Sequence, residues 1–196
     1  MTATGVDKYI QKETADRDIG LTLELGGKAA NIVFNDAAID QAVEGVVNGI
    51  FFNQGHVCCA GSRLVLQEDI HDEFVTKLEK RMQSLRVGNP LDKNTDIGAI
   101  NSKDQLDKIT SLVNEGVEEG GTIFQTDCEL PQNGFWFKPT LFTNAQPSYR
   151  ISREEIFGPV LTTLTFRTPE EAIEISNNTE YGLSAGIWTE KGSKQL

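Results

Sequence analysis

The chain has 196 residues, 29 Asp and Glu against 18 Lys and Arg, a formal net charge of −11 and an apolar fraction of 38%. That length supports one domain with a real core, and an acidic balance without any Lys/Arg cluster argues against nucleic acid or anionic lipid as a partner. No apolar run approaches the ~20 residues needed to cross a bilayer, and "MTATGVDKYIQKETADRD" has no apolar signal core.

Taken in order, residues 7–16 are predicted to be helical. "LTLEL" (21–25) and "NIVF" (31–34) read as short buried strands around a Gly-Gly turn. A helix runs to about Asn53 with Val43, Val46, Val47, Ile50 and Phe51 on its apolar face, and Asp36 or Asp40 is expected to cap it. "RLVLQ" (63–67) is a strand, and residues 69–84 form an amphipathic helix with Ile70, Phe74, Leu78, Met82 and Leu85 in one stripe. A second amphipathic helix spans 102–119 and closes at Gly120-Gly121. "TIFQ", "FWFKPTLF" and "VLTTLTF" are strand candidates, residues 169–177 a helix opened by Pro169, and "LSAGIWT" (183–189) a last strand. The alternation predicts an α/β fold of three layers, α/β/α, with a mostly parallel twisted sheet. The chain begins just before one helix and ends at "KGSKQL" entering another, so a piece of a longer protein is expected.

Three cysteines, Cys58, Cys59 and Cys128, form no C-x-x-C pair. Adjacent Cys58 and Cys59 stand too close along the chain to bridge comfortably. A sparse odd set of this kind fits a reducing, cytoplasmic compartment. His56 and His71 do not fall at ligand spacing with the cysteines, so no metal site is expected. A free thiol with a pKa near ~8.5 is already a soft nucleophile for a carbonyl. The alternative for each cysteine is a small buried apolar side chain.

"LELGGK" (23–28), "FFNQGHVCCAGSR" (51–63) and "EEIFGPV" (154–160) occur in that order. Together they resemble the Glu-Leu-Gly-Gly, F-x-x-x-G-Q-x-C and E-I-F-G-P boxes of the aldehyde dehydrogenase superfamily. "VGNPLD", "FWFKPTLF" and "NNTEYGLSAGIWT" are similar to further family stretches, and "FNQGHVCCAGSR" resembles family 16, whose members carry two dehydrogenase-like modules. By register, the resemblance makes Cys58 the nucleophile and leaves Cys59 and Cys128 as small buried residues. It makes Glu24 the general base that activates water. On the residues alone, a carboxylate at the end of an apolar strand would suit that task. Glu155 and Phe157 match the positions that hold the nicotinamide ribose and flank the nicotinamide ring. Lys28 is read as structural.

Two residues depart from the pattern. His56 stands where the family has Gln, and Asp7 stands near an expected glycine of the cofactor turn that "TATGV" resembles. As implied by the resemblance, residues 1–25 are a remnant of the cofactor-binding domain and 26–196 the catalytic domain, cut short at its C-terminus. The parent enzyme is expected to oxidise an aldehyde to a carboxylic acid with NAD or NADP, bound mainly by an upstream domain, and to be a homo-oligomer. This chain alone is expected to be inactive as a dehydrogenase. The competing expectations are a non-catalytic dehydrogenase-like scaffold and a thiol esterase.

Overall fold

The computed structural model describes residues 3–194. Helix α1 (Ala3–Thr14) leads through residues 15–29, which carry no helix or strand beyond a turn at 15–18, into β1 (Ala30–Val33). There follow α2 (Ile39–Phe51), β2 (Arg63–Gln67), α3 (His71–Met82), α4 (Lys103–Glu118), β3 (Ile123–Gln125), β4 (Thr140–Phe142), α5 (Arg150–Arg153), β5 (Val160–Phe166), α6 (Pro169–Asn177) and β6 (Ala185–Trp188). One six-stranded sheet has the order β3-β4-β5-β2-β1-β6, with β3 antiparallel to β4 and the other neighbours parallel.

Burial on both faces explains why β2 and β5 read as continuous apolar runs rather than alternating ones. Leu64 and Leu66 of β2 pack on one side with Val43, Val46, Val47 and Ile50 of α2 and Phe74, Leu78 and Met82 of α3. Val65 packs on the other side with Ile109, Leu112 and Val113 of α4, Ile151 of α5 and Ala172 and Ile175 of α6. These are the three layers. Ser102 caps α4 by accepting from the Gln105 N–H, and Thr168 caps α6 by accepting from that of Glu171.

Ala30 aligns with Arg63 on one side and Ala185 on the other, and Arg63 aligns with Thr162. The amino ends of β1, β2, β5 and β6 therefore meet on a single rung.

Several expectations need correction. Residues 21–25 form no strand. A strand exists by pairing, and residues 21–25 pair with none of the six strands and lie largely exposed. "FWFKPTLF" contributes only 140–142, because Pro139 lacks the N–H a ladder needs. Neither Asp36 nor Asp40 caps α2, whose N-cap is Ala38. Asp36 instead accepts from Thr189 and Lys194, while Asp40 lies in the first helical turn and pairs with Lys77. Asp7 lies inside α1 rather than at a turn. At the other end, Gly192–Lys194 make a single helical turn, and residues 195 and 196 of the helix expected there lie outside the described residues. Among the described residues no helix is long and apolar enough to cross a membrane, and no group of three or more His, Cys, Asp or Glu could hold a metal ion.

Candidate active site

Four segments converge at the shared rung, each just before its strand: residues 24–29 before β1, 56–62 before β2, 155–159 before β5 and 183–184 before β6. Close backbone approach holds them together. A Cβ added at Gly27 would collide with the carbonyl oxygen of Cys58 and touch Leu183. One added at Gly26 would lie 2.7 Å from Oε2 of Glu155. Gly27 is thus required by packing against the Cys58 backbone, while a side chain at Gly26 would displace the Glu155 carboxylate. The Gly27 N–H donates to Oε1 of Glu155 at 3.0 Å.

Cys58 follows α2 through a turn in which Asn53, Gln54 and Gly55 all have positive φ, at 49°, 47° and 74°. Such a run is costly for the two non-glycine residues and persists only where surroundings enforce it. Here Gly55 presses on the carbonyl of Gly158, and the Asn53 amide donates to the His56 carbonyl. Beyond the thiol, the Gly61 N–H donates to the Gly49 carbonyl and the Ser184 hydroxyl to that of Cys59. Cys58 is half-buried. Cys59 is exposed rather than buried, which corrects the reading from sequence, and Cys128 is half-buried with its sulfur accepting from Thr126 at 3.2 Å. Cys59 is open because it sits at the crest of the loop that Ala60 turns back into the core.

Glu155 and Phe157 are each half-exposed, on a segment fastened from behind by α4. Lys108 donates to the Glu155 carbonyl at 2.8 Å, and Gln105 donates to those of Ile156 and Phe157 at 2.8 and 3.0 Å. Phe157 has φ of 56°, strained for an aromatic residue. Its ring stacks on His56, with centroids 5.3 Å apart and planes 9° from parallel. Nε2 of His56 is buried without a hydrogen-bond partner, and burial pushes the imidazole pKa below its usual value.

Glu24 is the outlier. It stands exposed on the irregular segment before Gly26, not buried at the end of a strand. Lys28 departs the other way. It is 1% exposed, and its Nζ has no hydrogen-bond partner. Burial first, and then the Arg63 charge, push its pKa down to about 7. Burial also raises the phenol pKa of Tyr181, whose hydroxyl lies by the Glu155 backbone.

Sequence reading missed Gln105, Lys108 and Tyr181. Gln105 and Lys108 sit three apart on one helix face beside the apolar stripe of α4, a signal that marks the face without saying what it grips. No wide cavity closes over the site. A gap of about 10 Å³ between Gly27, Gly55, Glu155 and Phe157 holds at most a water. A cavity of about 790 Å³ lies elsewhere, between residues 145–147 and α6. The convergent segments form an open edge.

Comparison with known proteins bears on this arrangement. The model of the aldehyde dehydrogenase family matches residues 2–196. A putative aldehyde dehydrogenase of Bacillus subtilis, DhaS, is 42% identical over 189 residues, covering 96% of this chain and 38% of that protein. Among solved structures, an NAD-dependent aldehyde dehydrogenase from Sinorhizobium meliloti is 37% identical with a TM-score of 0.93, covering 98% of this chain and 38% of its own. Betaine aldehyde dehydrogenase from Staphylococcus aureus in complex with NAD+ is 36% identical with a TM-score of 0.91, covering 98% and 39%. The chain thus spans about two fifths of the length of these relatives.

Proposed function

The chain belongs to the aldehyde dehydrogenase family, and from that premise we propose that it forms the thiol-bearing part of an enzyme oxidising an aldehyde to a carboxylic acid with NAD or NADP. The observation that carries the reading is the double role of Gly27, which packs on the carbonyl of Cys58 and holds Glu155 through its N–H. Thiol and carboxylate are thereby fixed at one edge.

Glu155 suits a nicotinamide ribose. Oε1 is fixed, Oε2 accepts no hydrogen bond among the described residues, and the group is half-exposed. A carboxylate so placed accepts from sugar hydroxyls, and Phe157 would flank the ring. When bound, the nicotinamide supplies the two-electron acceptor. The chain's own part begins with Sγ of Cys58 attacking the carbonyl carbon to give a thiohemiacetal. Cys58 later carries the acyl group as a thioester. Glu24, three positions before Gly27, takes a proton from the water that releases the acid and regenerates the thiolate.

Residues 1–25 are assigned to the cofactor-binding domain and 26–196 to the catalytic domain. No described side chain from 5 to 25 is fully buried, whereas burial is continuous from Gly26 to Ala30. The rest of the cofactor site is assigned to a domain outside this chain, the parent to a homo-oligomer in the cytoplasm, and the isolated chain to little or no dehydrogenase turnover.

The test is iodoacetamide labelling of the chain from pH 6 to 9, mapped by peptide mass spectrometry. Cys58 is expected to react faster than Cys59 despite its lower exposure, and Gly27→Ala to slow Cys58 roughly ten- to a hundredfold by displacing its backbone. Rates that simply follow exposure, unchanged by Gly27→Ala, would overturn the assignment of Cys58 as a preorganised nucleophile.

A further inference from the structure

Phe157 holds a backbone conformation that an aromatic residue adopts at a cost of roughly 1–3 kcal/mol. Its carbonyl is tied to Gln105 on α4, and neighbouring Gly158 is pressed on Ile109 of the same helix. Those contacts fix the backbone but leave the ring free to turn about χ1 and χ2. The ring itself stacks on that of His56, almost parallel and with centroids 5.3 Å apart.

His56 is in turn held by its backbone. The positive-φ turn 53–55 delivers it, its N–H donates to the Asn53 carbonyl, and its own carbonyl accepts from the Asn53 amide. Its ring makes no hydrogen bond among the described residues, and Nε2 is buried. What the side chain offers is a flat face, and aromatic rings favour offset stacking.

We propose that His56 is a positioning residue for Phe157, acting as a flat plate that sets the orientation of the phenyl ring and couples the loop bearing Cys58 to the loop bearing Glu155. The inference rests on the proposed function only for its consequence, that the ring so oriented borders the nicotinamide. The coupling itself is a property of this chain. It also gives the departure at position 56 a physical content. A linear amide side chain cannot present a ring face, so this chain holds Phe157 by a different contact.

The experiment uses the whole chain labelled with 4-fluorophenylalanine, with the Phe157 fluorine line assigned by Phe157→Leu. The wild-type line is expected to be single and displaced by the neighbouring ring current. His56→Ala and His56→Gln should shift it towards the position of an unstacked ring and broaden it, and His56→Tyr, which restores an aromatic face, should return most of the displacement. Circular dichroism reports whether each variant is folded, and the pair Ala and Gln guards against the loss of either one. A Phe157 line indifferent to all three substitutions overturns the proposal, as does rescue by Gln but not by Tyr. Adding NAD+ separates the two readings. A line that responds to His56 substitution upholds the positioning role whatever NAD+ does, and a further shift with millimolar NAD+ supports Phe157 as a nicotinamide neighbour.

Discussion

Lys28 takes an ammonium group into the interior with nothing to receive its protons. Arg63 and Lys108 oppose the charge, while Glu155 and Glu154 favour it without outweighing burial. The native pKa of about 7 lies below the unfolded value of 10.5. From about pH 7 up to 10.5 the unfolded chain therefore binds the proton that the native chain has shed, and stability rises with pH across that window. Below about pH 7 both states are protonated and the penalty is borne in full. At roughly 1.4 kcal/mol per unit the term is on the order of 5 kcal/mol. Urea unfolding of the wild type and of Lys28→Met between pH 6 and 10 should show the rise in the former and a flatter profile in the latter; parallel profiles would refute it. At this scale the sequence supplies candidate residues and says little about their environment. The boxes name Cys58, Glu155 and Phe157. Nothing local announces that Lys28 is buried, that Cys59 is open, or that two rings 101 positions apart, His56 and Phe157, lie face to face. Those facts depend on which loops meet.

Helix α6 ends against the start of the sheet, and its last carbonyls need partners. Arg63, 2% exposed, supplies them. Nε donates to the Lys28 carbonyl at 2.8 Å, and the two terminal nitrogens donate to those of Ile175 and Ser176 at 2.8 and 2.7 Å. A guanidinium at a helix C-terminus also complements the helix dipole. One side chain thus pins β1, β2 and α6. Arg63→Met should cost about 3–5 kcal/mol in chemical unfolding, since three carbonyls lose a charged donor. Arg63→Lys should recover only part of that, because an ammonium cannot span all three. A loss below ~1 kcal/mol for Arg63→Met would show that these carbonyls find other partners. Most elements were legible because their signal is local: the i, i+3, i+4 stripes of α2, α3 and α4, Pro169 at the start of α6, and the doubly buried runs of β2 and β5. Residues 21–25 carry the same apolar signal and form no strand, since strand formation depends on pairing that the local sequence cannot report.

At the scale of the molecule, the described residues from 5 to 25 include no buried side chain. Val6, Tyr9, Ile10, Ile19 and Leu21 are all exposed, so this segment adds little to the core. Deleting residues 1–24 is expected to move the thermal midpoint by no more than about 2–4 °C, the shift that ~1 kcal/mol produces at this size. A fall of ten degrees or more would show that the segment contributes substantially to the stability of the core. The remaining chain keeps one rung on which Ala30, Arg63, Thr162 and Ala185 are level. Measured from that rung, Gly27, Cys58, Phe157 and Leu183 stand a few residues upstream, on the segments that lead into four separate strands. The sheet therefore works as a ruler for the chemistry. One added or lost residue between any of these side chains and its strand displaces it from the other three, because the strand itself is held by its register. At the far ends of the same strands, in the turns before α2, α3 and α6, an added residue leaves the ruler untouched. The tolerance of this chain to length change is thus lopsided, with drift open at one end of the sheet and closed at the other.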